Sequence, residues 1–225
     1  MHNFHLTNRN LAQSYRQYLS EKIGALLDPR EFTLAENIDP QKFYLEFKNR
    51  VIGLVNNETA DLKSALLQSD NCHLILLKHT TLVDAIIQAS LRTAIWYFNQ
   101  SHGMNFAEKD VPIAIVARGG YGREEMYFHS DVDIQIVSKP QANEETRAYL
   151  PEILSYFEYL FIHQDIFSTA SSFSHSEAGV EDREFDLKKP GLLISLMEHR
   201  FVAGEPWVYN EFKSSIKTAS LMYAK

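Results

Sequence analysis

The chain has 225 residues, of which 45% are hydrophobic and 23% charged, enough for a packed core in one large domain or two small ones. Its formal net charge is −7 and its Lys and Arg residues are scattered, which argues against general nucleic-acid binding. Cys72 is the only cysteine, so an intrachain disulfide and a cysteine-rich zinc site are both excluded. It reads as a half-buried thiol in a reducing compartment rather than a catalytic one. The opening MHNFHLTNRN lacks the basic and apolar regions of a signal peptide. No apolar run approaches the roughly 20 residues that cross a bilayer, so a cytoplasmic protein without a membrane partner is expected.

Residues 1–108 have helical periodicity. Leu11, Tyr15, Tyr18, Leu19 and Ile23 recur at helical spacing, and Asp28-Pro29 ends that element. A second helix starts near Asp39-Pro40, with Pro at a permitted first-turn position, and carries Phe43, Phe47, Val51, Leu54 and Val55. It continues through Leu62 and Leu66 and breaks near Ser69-Asp70-Asn71. Thr81-x-x-Asp84 resembles a capping box and predicts a third helix, stopped by Gly103. The period then changes. Residues 111–117 read as a strand, 119–128 as a turn with a short helical piece, and 131–138 as a second strand. Asn143 is a good N-cap for a helix with Leu150, Ile153, Phe157 and Phe161 on its buried face. Residues 164–171 fit a third strand and 172–187 a polar loop. Leu192, Leu193, Leu196, Met197 and Phe201 mark a helix stopped by Gly204, and Glu205-Pro206 starts a last one bearing Val208, Phe212 and Ile216. That helix has no stop signal before Lys225, which suggests a piece of a longer protein. The expected fold class is α+β: a helical N-terminal region over 1–108, then a small mixed-sheet domain with flanking helices over 109–225.

Residues 118–138, RGGYGREEMYFHSDVDIQIVS, carry the chemistry. Two carboxylates, Asp131 and Asp133, are two residues apart on the second strand and so share one of its faces. Mg²⁺ prefers hard carboxylate oxygens and completes its shell with water and substrate phosphates. The backbone at Gly119, Gly120 and Gly122 has no Cβ to keep phosphates away. Ser130 offers a hydroxyl. Arg123, with Arg118 as a second candidate, offers forked hydrogen bonds to a triphosphate. Together these residues suggest a site for a metal–nucleoside triphosphate, with Mg²⁺ or Mn²⁺ as the ion.

Gly119-Gly120-Tyr121-Gly122-Arg123-x-Glu125-Met126 with Ser130-Asp131-Val132-Asp133 resembles the signature of the polymerase-β-like nucleotidyltransferase superfamily. Its pattern is nearest to the bacterial PII uridylyltransferases and the CBS-domain-associated nucleotidyltransferases, close to GGYGRGE followed by SDIDL. The chain departs from it at Glu124, where glycine is usual, and mildly at Val132. Residues 165–171 resemble the next family strand, without its His and Arg. The resemblance implies a third metal carboxylate there, with Asp165 the candidate. Glu198-His199-Arg200-Phe201-Val202-Ala203-Gly204-Glu205 resembles the family's E-x-R-x-x-A-G-D segment, so the likeness covers about residues 110–217. It implies a uridylyltransferase-like enzyme that moves an NMP from an NTP to a protein or small-molecule acceptor.

Plainer readings compete. A D-x-D pair alone is often a solvated turn, and Arg200 is by pattern a helix residue. His73, His79 and His163 have no zinc spacing and read as surface or half-buried residues. Trp96-Tyr97-Phe98 is a core stripe before it is a stacking platform. Two other functions remain: a regulatory nucleotide-binding module without turnover, motivated by Glu124, and a nucleotide-sugar glycosyltransferase holding metal through D-x-D. The second requires a Rossmann-like βαβ segment before the acidic pair, and strand order decides it.

Overall fold

The computed structural model describes residues 2–32, 39–68, 71–139, 144–162, 166–167, 174–177 and 197–223. Three long helices come first: α1 (His2–Leu26), α2 (Pro40–Gln68) and α3 (Cys72–His102). Strand β1 (Ile113–Ala117), the one-turn helix α4 (Gly119–Gly122) and strand β2 (Ile134–Ser138) follow. Helix α5 (Glu144–Phe161), strands β3 (Ser174–Glu177) and β4 (Arg200–Gly204) and helix α6 (Pro206–Tyr223) complete the α+β architecture.

Helix α3 is one continuous element that starts well before Thr81. Asn71 caps it, its side-chain oxygen accepting from the Leu74 N–H at 3.2 Å, while Asn8 and Asn71 exchange amide hydrogen bonds. Cys72 opens the helix and is exposed, not half-buried. Thr81 lies mid-helix and returns its hydroxyl to the Leu77 carbonyl at 2.7 Å, a back-bond a helix interior allows. Gly103 stops the helix as expected, in the left-handed conformation with φ +64°. By length and composition α3 would cross a membrane, but 72% of its most apolar window is buried inside the fold, packed on α1, α2, α5 and β4. An apolar helix that buries nearly its whole circumference is a core helix.

The sheet has order β3-β2-β1-β4. β1 is antiparallel to both β2 and β4, and β2 is parallel to β3, so the sheet is mixed. Every residue of β1 is buried, because both faces are covered. Successive side chains point to opposite faces. Ile113, Ile115, Ala117, Ile134 and Ile136 join the large core with the helical block. Ala114, Val116 and Val137 pack instead against Val208, Phe212 and Ile216 of α6. The large core runs from Leu19 and Phe47 to Val202, so helices before residue 108 and strands after it share one apolar cluster.

Several expectations are corrected. Ile166 and Phe167 form a bend rather than strand, and the third strand is Ser174–Glu177, in a stretch whose polarity reads as loop. The stretch from Arg200 to Gly204 is strand β4, not the end of a helix. Its Phe201 and Val202 alternate between the two cores, a period of two that the preceding leucines obscure. In α1, Leu11 and Tyr18 remain exposed at 46% and 45%, and the buried stripe is Leu19, Ile23 and the following Leu27. Asn143, Asp165, Leu192, Leu193 and Leu196 lie outside the described residues.

Candidate active site

The glycine turn and the acidic pair meet at one end of the β1–β2 pair. Ala117 is paired with Ile134 in the antiparallel register, and just beyond it the Arg118 N–H donates to the Asp133 carbonyl at 3.0 Å. Asp131 and Asp133 precede β2 rather than lying on it, since the strand starts at Ile134. The alternation still holds: Val132 is 2% exposed, Asp131 is exposed and Asp133 half-buried. Because β1 and β2 are antiparallel neighbours, the acidic pair does not follow a parallel βαβ unit. The glycosyltransferase arrangement is therefore not the one seen here.

Gly119 opens the turn with φ +55°. Gly120 is half-buried, and a Cβ there would meet only the Arg123 Nη2 at 3.8 Å, so its outer side is open. Gly122 has a different reason to be glycine. A Cβ on it would lie 2.0 Å from the Glu198 carbonyl oxygen, a contact no side chain tolerates. The chain before β4 thus presses directly on the back of the turn. Glu124, where the resembling pattern has glycine, is the one non-glycine residue with positive φ among the described residues, at +64°. A side chain in that conformation carries a local cost of about 1 kcal/mol, which explains why glycine suits the position.

Three side chains fasten the turn from inside. Asp84 of α3 accepts from the Tyr121 hydroxyl at 2.6 Å and from Arg200 Nη1 and Nη2 at 2.7 and 3.0 Å. Arg200 Nη2 also reaches the Tyr121 carbonyl at 3.5 Å, and its guanidinium lies 5.3 Å from the Tyr121 ring centre. Tyr121 is 1% exposed and Asp84 5%. Burial, followed by the Asp84 charge, pushes the Tyr121 hydroxyl far above its ordinary range, so it stays protonated and donates. Burial alone would lower Arg200; the adjacent Asp84 carboxylate outweighs it and holds the guanidinium charged. Arg200 is accordingly a fastening residue on a strand.

The same helix holds the next segment. The His79 Nδ1 lies 3.2 Å from the Met126 carbonyl, and the Thr80 hydroxyl accepts from the Met126 N–H at 3.3 Å. Further along, the Gln88 amide donates to the Val202 carbonyl at 2.8 Å. Thr80, Asp84 and Gln88 are spaced four apart and so form one polar stripe on α3. The sequence reading missed the stripe by treating Asp84 as a cap. Polar residues at i, i+4 and i+8 inside an otherwise apolar helix were the available signal.

Arg123 stands at the surface, bonded to Glu125 at 2.8 Å and paired with Glu198. The hydrogen bond to Glu125 leads the causes that hold its guanidinium charged. Ser130 accepts from the Tyr127 N–H at 3.2 Å, closing the loop that delivers Asp131. Arg118 is 2% exposed, and burial pulls its pKa down while the Asp133 charge works the other way. It lies inside the protein, within reach of the Asp133 charge, rather than at a phosphate surface. Among the described residues no group of three or more metal-binding side chains converges. The described donors are the two carboxylates, and Asp165 falls outside them. Two carboxylates plus substrate oxygens and water suit Mg²⁺.

The antiparallel β1–β2 pair thus places a glycine turn beside a D-x-D pair. The sequence profile of the glutamate-ammonia ligase adenylyltransferases matches residues 64–153, which takes in α3, the turn and the acidic pair. The bifunctional uridylyltransferase/uridylyl-removing enzyme of Idiomarina loihiensis is 35% identical over 117 residues, 49% of this chain. The match spans 12% of that relative's own length. The chain is related to the polymerase-β-like nucleotidyltransferases, near the PII uridylyltransferases.

Proposed function

We propose that the chain transfers a nucleoside monophosphate from an NTP to a hydroxyl on a protein or small-molecule acceptor, using Mg²⁺ held by Asp131 and Asp133. The observation that carries this reading is the juncture at the end of β1, where the Arg118 N–H and the Asp133 carbonyl meet at 3.0 Å. It brings the start of the glycine turn, whose Gly120 is open on its outer side, next to the segment that carries both carboxylates. A divalent ion held by Asp131 and Asp133 would supply positive charge to offset the charge that develops in an in-line displacement. The acceptor oxygen forms a bond to the α-phosphorus, the bond from that phosphorus to the bridging oxygen breaks, pyrophosphate departs and the acceptor hydroxyl's proton passes to solvent. The chain's own part is positioning. Asp84, Tyr121 and Arg200 fix the turn, Thr80 and His79 fix Met126, and Ser130 sets the loop before Asp131. Turn and carboxylates are thereby held before substrate arrives, which favours a constrained transition state. Asp165 is proposed as a third carboxylate of this site on the resemblance alone.

A second reading, nucleotide binding without turnover, draws on two features. Glu124 places a carboxylate within the turn, and Arg123 is engaged by Glu125 and Glu198 rather than presented to phosphate. Calorimetry with each Mg-NTP, paired with a pyrophosphate-release assay in the presence of cell lysate, separates the readings. Pyrophosphate release that disappears in Asp131→Ala supports transfer. Tight binding without release under any NTP establishes the binding module. Absence of both overturns the nucleotide reading.

A further inference from the structure

A cleft of about 470 Å³ lies at the loop that leads into the acidic pair, walled on one side by α2 and on the other by that loop up to Ser130. Its lining includes Asn56, Thr59 and Lys63 of α2, His79 of α3, and Phe128 and Ser130 of the loop. We propose that this cleft receives the base and ribose of the NTP, so that helix α2 selects the nucleotide; the assignment rests on the nucleotidyl-transfer reading above.

Four observations carry it. Ser130 belongs to the cleft wall and directly precedes Asp131, which puts the cleft at the loop that delivers the acidic pair. The volume falls in the range of pockets that enclose small organic ligands. Among the described residues its lining contains no carboxylate, and Lys63 adds a positive charge that suits an anionic nucleotide. Its polar groups are also of the kind that read a base edge. Phe128 offers a ring, fixed by the His79 ring at 5.0 Å and 68° and by Lys63 Nζ at 5.4 Å. His79 is 3% exposed, and its Nδ1 faces a carbonyl, which can only accept. Nδ1 therefore carries the proton and Nε2 is left as an acceptor. Burial holds the ring below its ordinary pKa and keeps it neutral. An acceptor of this kind, with the Asn56 amide and the Thr59 hydroxyl, distinguishes bases by where their N–H groups stand. Lys63 is exposed and lies over the Phe128 ring.

The experiment compares dissociation constants of the full chain for the four Mg-NTPs and for Mg-tripolyphosphate, a probe with phosphates and no nucleoside. Three proteins are used: the native chain, Ala60→Phe, which fills the cleft from α2, and Asn56→Ala, which removes one polar contact without adding bulk. The native chain is expected to prefer one NTP over tripolyphosphate. Ala60→Phe should weaken that NTP at least about tenfold and leave tripolyphosphate within about twofold, the scale of exclusion by a misfitting pocket. Asn56→Ala, which does not challenge folding, should shrink the preference among bases. Equal losses for NTP and tripolyphosphate would place phosphates in the cleft and overturn the assignment. Unchanged NTP binding in both variants would remove the cleft from the nucleotide site, whether or not the acceptor then binds less well. A native chain that binds tripolyphosphate as tightly as every NTP overturns this assignment only. One that binds neither overturns the transfer reading with it.

Discussion

Arg200 grips Asp84 with both terminal nitrogens, at 2.7 and 3.0 Å, across 116 residues of sequence. The pair joins α3 to β4 and traps Tyr121, the central residue of the glycine turn, between them. Breaking a buried pair by removing one partner leaves an uncompensated charge and costs about 3–5 kcal/mol. Asp84→Asn should therefore lower the unfolding free energy in urea by about that amount. Tyr121→Phe removes one hydrogen bond to a charged acceptor and should cost less, about 1.5–3 kcal/mol. If Tyr121→Phe proves as damaging as Asp84→Asn, the ion pair is not the principal fastening.

Glu124 and Gly122 lie two residues apart and should respond in opposite directions. Glu124 holds φ at +64°, so Glu124→Gly relieves strain and should raise the unfolding free energy by about 1 kcal/mol, less the entropy glycine adds to the unfolded chain. Gly122→Ala would drive a methyl group to 2.0 Å from the Glu198 carbonyl and should destabilise by several kcal/mol or prevent folding. Thermal unfolding of the two variants gives the signs. A neutral Gly122→Ala would mean that the 198–200 segment does not bear on the turn.

These contacts also explain what the sequence revealed. Gly119, Gly120, Asp131 and Asp133 were legible because turn glycines and strand-edge carboxylates are local patterns. The E-x-R-x-x-A-G segment was recognisable, but its meaning was not. Glu198 pairs with Arg123, Arg200 with Asp84, and Gly204 has no Cβ because one would lie 2.3 Å from the Ile113 carbonyl. Each is a contact with residues roughly 75 to 116 positions away, which no periodicity encodes. The strand Ser174–Glu177 escaped for a related reason: it forms by backbone pairing with β2, and its polar side chains carry no apolar alternation.

His79 and His199 are both held below the ordinary histidine pKa, in each case by burial first, with Lys213 adding to it at His199. A depressed folded-state pKa means that the unfolded chain binds more protons as the solution acidifies. The stability they contribute is therefore fully present above about pH 6.5 and is lost as pH falls through the folded values. Urea midpoints should fall between pH 7.5 and 5.5. His79→Gln, which keeps a donor for the Met126 carbonyl, should flatten that fall and leave the share due to His199. A midpoint independent of pH would mean that His79 is not buried as neutral imidazole.

Asp131 and Asp133 should be separable by stability although both are assigned to the metal. Asp131 is exposed, so Asp131→Ala should leave the unfolding free energy within about 0.5 kcal/mol, the usual range for surface positions. Asp133 is half-buried and acts on Arg118, whose burial lowers its pKa while the Asp133 charge opposes that effect. Asp133→Ala removes the opposing charge while keeping the backbone bond to the Arg118 N–H. It should cost about 1–3 kcal/mol, the penalty of leaving a buried polar group less well compensated. Asp133→Asn keeps the shape without the charge and should recover only part of the loss. Both alanine variants should abolish Mg²⁺-dependent NTP binding, measured by calorimetry below their unfolding temperatures. Equal stability of the two would show that Asp133 serves the metal alone; retained Mg²⁺-dependent binding in either would remove that residue from the metal site.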